Sequence, residues 1–191
     1  MCTLARRVIF LCQYWLSQTA NDFLGGPIKP NKIWRWFQPV SFQIIWFLAI
    51  LGGNTLLPAV ILLLACHLLL SPQRRQDLLL LPLALLGFII DLVIMYCGFY
   101  SFDEWPYWLF FLWFGFVQNF GHSLSFLRKL KVLYLVPLGA LGGCYAYWAS
   151  WKLGAVEWPQ GETSTLIVIA SVWALLVPAV IKLDQQIRST N

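Results

Sequence analysis

From Pro106 to Leu127 the chain runs PYWLFFLWFGFVQNFGHSLSFL, 22 residues without a Lys, Arg, Asp or Glu. That length spans a bilayer as one helix, and in hydrocarbon only a helix or a closed barrel satisfies its own backbone. The stretch is not uniformly apolar. At about 100° per residue, Gly115, Gln118, Asn119, His122 and Ser125 fall within an arc of about 120°. Trp113, Phe116, Phe120 and Leu124 point the other way. A lipid-embedded helix with its polar groups on one side is expected to turn that side toward protein or water.

The rest of the chain repeats the pattern. Of 191 residues, 60% are hydrophobic and 11% charged, where a soluble domain carries about 25% charged residues. The solvent for such a chain is lipid, and the expected fold is an all-α polytopic transmembrane bundle of about six helices. Residues 1–37 form a separate N-terminal segment. Leu4, Val8, Leu11 and Trp15 share one helical face there, which predicts an interfacial helix rather than a cleaved leader. Gly25-Gly26-Pro27 and Pro30 end it, and Trp34 and Trp36 with Lys32 and Arg35 suit an interfacial anchor.

Residues 38–183 make the transmembrane domain. Val40–Leu70 is too long for one span and carries Gly52-Gly53-Asn54-Thr55 and Pro58, so it reads as two spans joined by a turn. Further spans are expected at Leu78–Phe99, Pro106–Leu127, Val132–Trp151 and Ser164–Lys182, with residues 184–191 as a polar tail. With the N-terminus inside, twelve basic residues fall on one side and Lys152 alone on the other, beside Asp103, Glu104, Glu157 and Glu162. The positive-inside bias then places both termini in the cytoplasm of a cell with an inner membrane. The net charge of +5 sits in short loops, which suits anionic head groups and gives no basic face for nucleic acid. Cys2, Cys12, Cys66, Cys97 and Cys144 are odd in number and scattered, so neither a disulfide framework nor a zinc site is indicated.

Asp91 is the one formal charge deep within an expected span. An ionisable group at that depth is costly unless paired or neutral, and so is a functional candidate. Its depth matches Gln118, provided the third and fourth spans touch. His122 completes the candidate catalytic pair, and Gln43, His67, Gln118, Asn119 and Ser125 form the candidate polar intramembrane cluster. The alternative for Asp91 is a neutral aspartate that locks two helices. The histidines have no HxxxH or HExxH spacing, so no metal site is called for, and any cofactor is left unknown. Gly139-x-x-x-Gly143 and Gly142-x-x-x-Ala146 allow close helix approach. The Trp residues at span ends suit aromatic belts.

Phe42-Gln43-x-x-Trp46-Phe47, Asp91, Pro106-x-Trp108, Leu112-Trp113, His122-Ser123-Leu124, Leu153-Gly154-Ala155-Val156 and Trp173 with Pro178 resemble a small family of bacterial multi-pass inner-membrane proteins known only as a domain of unknown function. The resemblance covers roughly residues 38–183. It departs at Gly143-Cys144, where Gly-Pro is expected, and at Ser150, where a glycine is expected. The family's members are often encoded beside enzymes that modify fatty-acyl chains, which implies a link to lipid chemistry. Three functions stand open: an enzyme or accessory of membrane lipid modification, a small solute- or proton-coupled transporter with Asp91 as coupling carboxylate, and a non-catalytic docking partner. The expected partners are membrane lipids and, for the docking reading, another membrane or lipid-modifying protein.

Overall fold

The computed structural model describes residues 32–121 and 123–189. The expected interfacial helix and His122 lie outside them. The described residues form an all-α bundle: α1 (Lys32–Gly52), α2 (Leu57–Leu70), α3 (Arg74–Leu79), α4 (Leu81–Tyr96), α5 (Tyr107–Gly121), a 3-10 turn (Ser125–Lys129), α6 (Val132–Lys152) and α7 (Glu162–Ser189). Helices α3 and α4 run together as one 23-residue apolar segment, Arg74–Tyr96. With α6 and Glu162–Gln186 of α7, it is one of three helices among the described residues that are long and apolar enough to cross a membrane. Helix α1 begins at Lys32, within the stretch expected to serve as an interfacial anchor.

The break inside Val40–Leu70 is a tight turn at Gly52–Thr55, with Gly53 at φ +51°. Asn54 ties this turn to the start of α5. Its Nδ2 donates to the Trp105 carbonyl at 2.7 Å and its Oδ1 accepts from the Trp108 N–H at 3.4 Å. The same end of the bundle carries the other two loops. Ser101 and Glu157 exchange both backbone hydrogen bonds at 3.0 Å, Gln160 Nε2 donates to the Cys97 carbonyl, and Thr165 Oγ1 donates to the Phe99 carbonyl. At the opposite end, Arg128 pairs with Asp184 at 2.7 Å, and Ser71 donates to Asp77 between α2 and α3. Arg74, Arg75, Lys129, Lys131 and Lys182 lie at this Arg128 end. Asp103, Glu104, Glu157, Glu162 and Lys152 lie at the Asn54 end.

Glycines set how closely the helices approach. A Cβ on Gly87 of α4 would overlap the Trp113 ring of α5, and one on Gly143 of α6 would overlap the Trp173 ring of α7. A Cβ on Gly139 would lie 2.5 Å from the Trp173 carbonyl oxygen. The Gly139–Gly143 spacing thus makes the α6–α7 seam. Gly115 of α5 faces Leu64 of α2 and Phe42 and Ile45 of α1. The outward faces are apolar, with Leu62, Val93, Leu141 and Leu175 all more than half exposed. Such surface belongs against lipid.

Two expectations for the aromatic residues change. Trp113 and Phe120, expected to face away from the bundle, are buried, and so are Trp108 and Trp158, expected in the belts. Helix α5 packs against α1, α2, α4 and α7, and from Trp108 to Phe120 none of its residues is fully exposed.

Candidate functional site

Asp91 lies about 7–8 Å along α4 from its Tyr96 end, by the 1.5 Å rise per residue. It is 2% exposed, and three aromatic donors meet its carboxylate. Oδ1 accepts from Tyr100 OH at 2.7 Å and from Tyr147 OH at 2.5 Å. Oδ2 accepts from Trp113 Nε1 at 2.6 Å. These distances belong to strong, charge-assisted bonds, and they fill three of the roughly four acceptor positions of a carboxylate.

Local sequence explains the arrangement. Gly87 lies one turn before Asp91, on the same face of α4. The missing Cβ at Gly87 admits the Trp113 ring flat against α4, and Asp91 then receives its indole N–H. Gly98, at φ +79°, turns the chain after α4 so that Tyr100 folds back over the site. Burial, and then the neighbouring Tyr147 and Asp91, push the Tyr100 hydroxyl well above the usual phenol range, so it keeps its proton and donates. Trp173 of α7 closes the group. Its ring stacks on Trp113 with centroids 5.4 Å apart and planes at 17°, and meets Tyr147 edge-on at 6.1 Å. One carboxylate therefore joins α4, α5, α6 and the loop after α4, with α7 held through Trp173.

In front of this group lies an apolar cleft of about 730 Å³. Phe42 and Trp46 of α1 and Phe116 of α5 form one wall, and Gly142 and Tyr147 of α6 with Trp173 of α7 form the other. Trp113 and Tyr147 reach both the cleft and Asp91, so the carboxylate sits directly behind the lining.

The remaining candidates separate into different places. His67 is buried in α2, with Nδ1 3.2 Å from Ser41 Oγ and its ring stacked on Phe37. Ser41 Oγ donates to the Gln38 carbonyl at 2.9 Å, and Gln38 Oε1 accepts from the Ser123 N–H at 3.3 Å. Ser123 Oγ donates to Asn119 Oδ1 at 2.9 Å, and Asn119 Nδ2 donates to the Gly115 carbonyl at 2.8 Å. His67 and Asn119 are thus joined through α1 in one hydrogen-bonded chain toward the Arg128 end. Gln118 is buried beside it, and its Nε2 has no hydrogen-bond partner among the described residues.

Several expectations are corrected. Asp91 does not pair with Gln118; the Trp113 indole takes that place because α5 presents its aromatic side to α4. Gln43 is exposed and lines the cleft, away from His67, since Ser41 is the residue of α1 that turns to α2. Ser125 is not on α5: the helix ends at Gly121, and Ser125 begins the 3-10 turn, half-buried. His122 lies outside the described residues. Among the described residues no three His, Cys, Asp or Glu side chains gather as a metal site requires.

Trp113, Tyr100, Tyr147, Gln38 and Ser41 escaped the sequence reading. The signal available for Trp113 was Gly87, one turn before the lone charge and opposite an indole at similar depth. For Tyr147 it was the equal distance of Tyr147 and Asp91 from their helix ends.

Fold and surface together define a multi-pass helical membrane protein. Within that class the chain belongs to the family described as "Protein of unknown function (DUF2878)", whose model matches residues 35–179. No curated protein and no solved structure matches it.

Proposed function

We propose that this is an inner-membrane protein with both termini cytoplasmic, and that it takes a lipid acyl chain into its cleft in the service of membrane lipid modification, as an enzyme or as its accessory. The observation that carries this reading is the cleft: about 730 Å³, apolar, walled by four helices, and backed by a buried carboxylate through Tyr147 and Trp113. Ligand sites fall in that size range and combine apolar walls with a few placed polar groups. A spanning helix, about 10 Å across and 30 Å long, fills roughly 2,400 Å³, so the space suits a chain far better than a helix. The twelve-to-one distribution of basic residues supports the orientation.

A transporter reading draws less support. A coupling carboxylate must exchange partners, whereas three donors from three elements hold Asp91. That same saturation favours, as the second reading, a non-catalytic role in which Asp91 shapes the cleft and the protein presents lipid to a partner enzyme. The lipid profile of a deletion strain tests the proposal. A changed acyl composition, restored by the intact chain, is the expected result, and an unchanged profile with altered solute or pH tolerance would point to transport instead. An Asp91→Asn variant that folds normally but restores nothing supports a direct role for the carboxylate. One that restores the profile in proportion to its abundance supports the presenting role.

A further inference from the structure

The cleft has a charged end. It extends past Trp148 to Lys152 and Leu153, the last residues of α6 and its cap. Lys152 is exposed, and its Nζ stands 3.7 Å from the Trp151 ring centroid and 5.7 Å from that of Trp148. Trp151 is itself stacked on Trp158, with centroids 4.6 Å apart and planes at 8°. An ammonium seated over indole rings is held in place, yet still has donors to offer, since the rings accept no full hydrogen bond from it. No ion pair of Lys152 occurs among the described residues, and Glu162 accepts from Trp148 Nε1 at 3.2 Å.

Lys152 is also the only basic side chain at the Asn54 end among the described residues, amid four acidic ones. The Arg128 end has many cations, but the cleft is not lined by them. Arg128 is committed to Asp184 at 2.7 Å, and the cleft is lined there by Phe126 and Leu127. A cation at one mouth, continuous with an apolar trough bare of other charge, matches an amphiphile with a negative head.

We propose that the ligand of the cleft is an anionic phospholipid, its phosphate at Lys152 and one acyl chain laid along the small residues Gly142 and Ala146 toward Tyr147 and Trp173. This rests on the acyl-chain reading above and adds which lipid and which way round. A Cβ at Gly142 would meet no atom within 4 Å, so the trough has room on that side of α6. The acyl chain then passes the Tyr147 hydroxyl, behind which Asp91 lies.

The test uses the full chain in nanodiscs of equal phosphatidylglycerol and phosphatidylethanolamine, with retained lipid read by native mass spectrometry. The wild type is expected to retain phosphatidylglycerol about fivefold over phosphatidylethanolamine, the effect of one lysine at an anionic surface. Lys152→Gln is expected to keep bound lipid and lose the preference. Gly142→Leu, which fills the trough without meeting another atom at its Cβ, is expected to lose the bound lipid altogether. A preference that survives Lys152→Gln, or that instead disappears in a Lys129→Gln/Lys131→Gln variant, overturns the assignment of the head group while the Gly142 result still upholds the cleft. Lipid retained unchanged by Gly142→Leu overturns the acyl-chain reading itself.

Discussion

Helices α5 and α6 lie on opposite sides of the cleft and are built on opposite plans. Both are charge-free through their middles and both carry glycine. Yet α5 buries Trp108, Leu109, Trp113, Val117, Gln118, Asn119 and Phe120 within fifteen residues, whereas α6 buries only Leu135, Gly139, Gly143 and Ser150 in twenty-one. On α6, Leu133, Leu141 and Tyr145 are each more than 70% exposed. In lipid, apolarity does not drive a helix inward, because lipid tails are as apolar as leucine. What brings α5 to the centre is the set of polar atoms it must satisfy: an indole N–H, two amides, and the backbone beyond Gly121. What fixes α6 at the edge is shape, a glycine seam on one side and a small-residue wall on the other.

The two plans meet at Asp91, and the largest loss of stability is expected there. Asp91→Leu leaves Tyr100, Tyr147 and Trp113 with buried donors and no acceptor. Interhelical polar contacts in membranes average about 0.6 and reach about 1.7 kcal/mol, so three of them predict a loss of about 2–5 kcal/mol. Thermal unfolding in detergent measures it. Asp91→Asn keeps an acceptor but turns an NH₂ toward at least one donor, and is expected to fall between this variant and the wild type.

Shape comes next. Gly143→Ala forces a methyl into the Trp173 ring, and with it disturbs the Trp113–Trp173 stack. Overpacking of this kind costs about 1–3 kcal/mol. The same change at Gly142 meets no atom and is expected to leave stability unchanged. Equal losses at the two glycines, compared by the same unfolding assay, would refute the division of α6 into a seam and a cleft wall. Tyr147→Phe removes one of three donors and keeps the ring that lines the cleft. It is expected to cost about 0.6–1.7 kcal/mol, and to weaken lipid retention less than Gly142→Leu does.

The two plans were not equally legible in the sequence. Apolar runs and their breaks, Gly52-Gly53-Asn54 above all, give an all-α bundle of about six helices, because the hydrogen-bond requirement in lipid leaves few other solutions. The glycines of α6 also announce a close seam. The position of α5 is half visible: Gln118 and Asn119 forbid lipid on their side. The other side misleads, because Trp113 reads as a large apolar ring while its N–H is a strong donor, and Tyr100 and Tyr147 likewise carry a hydroxyl on a ring. Depth along a helix pairs residues poorly without knowledge of their azimuth, which is why a depth match joins Asp91 to Gln118 although α5 turns Trp113 to it. The end of α5 at Gly121 was hidden too, since Ser125 continues the helical arc on paper.

The smallest effect is the sharpest test of how α5 earns its central place. Gln118 is 1% exposed and its Nε2 has no hydrogen-bond partner among the described residues. An amide in that state costs free energy rather than supplying it, and replacing it with an apolar group of similar shape is close to neutral or stabilising. Gln118→Met is therefore expected to shift unfolding by no more than about 0.5 kcal/mol, with gain as acceptable as loss. Asn119→Leu, by contrast, breaks bonds to the Gly115 carbonyl and Ser123 and loosens the chain that leads through Gln38 to His67. It should cost about 1 kcal/mol or more. If Gln118→Met proves as damaging as Asn119→Leu, its amide has a partner in the membrane-embedded protein, and the polar chain extends further than these contacts. If Gln118→Met leaves stability alone and abolishes complementation of a deletion strain, the amide is held unpaired for something that binds there.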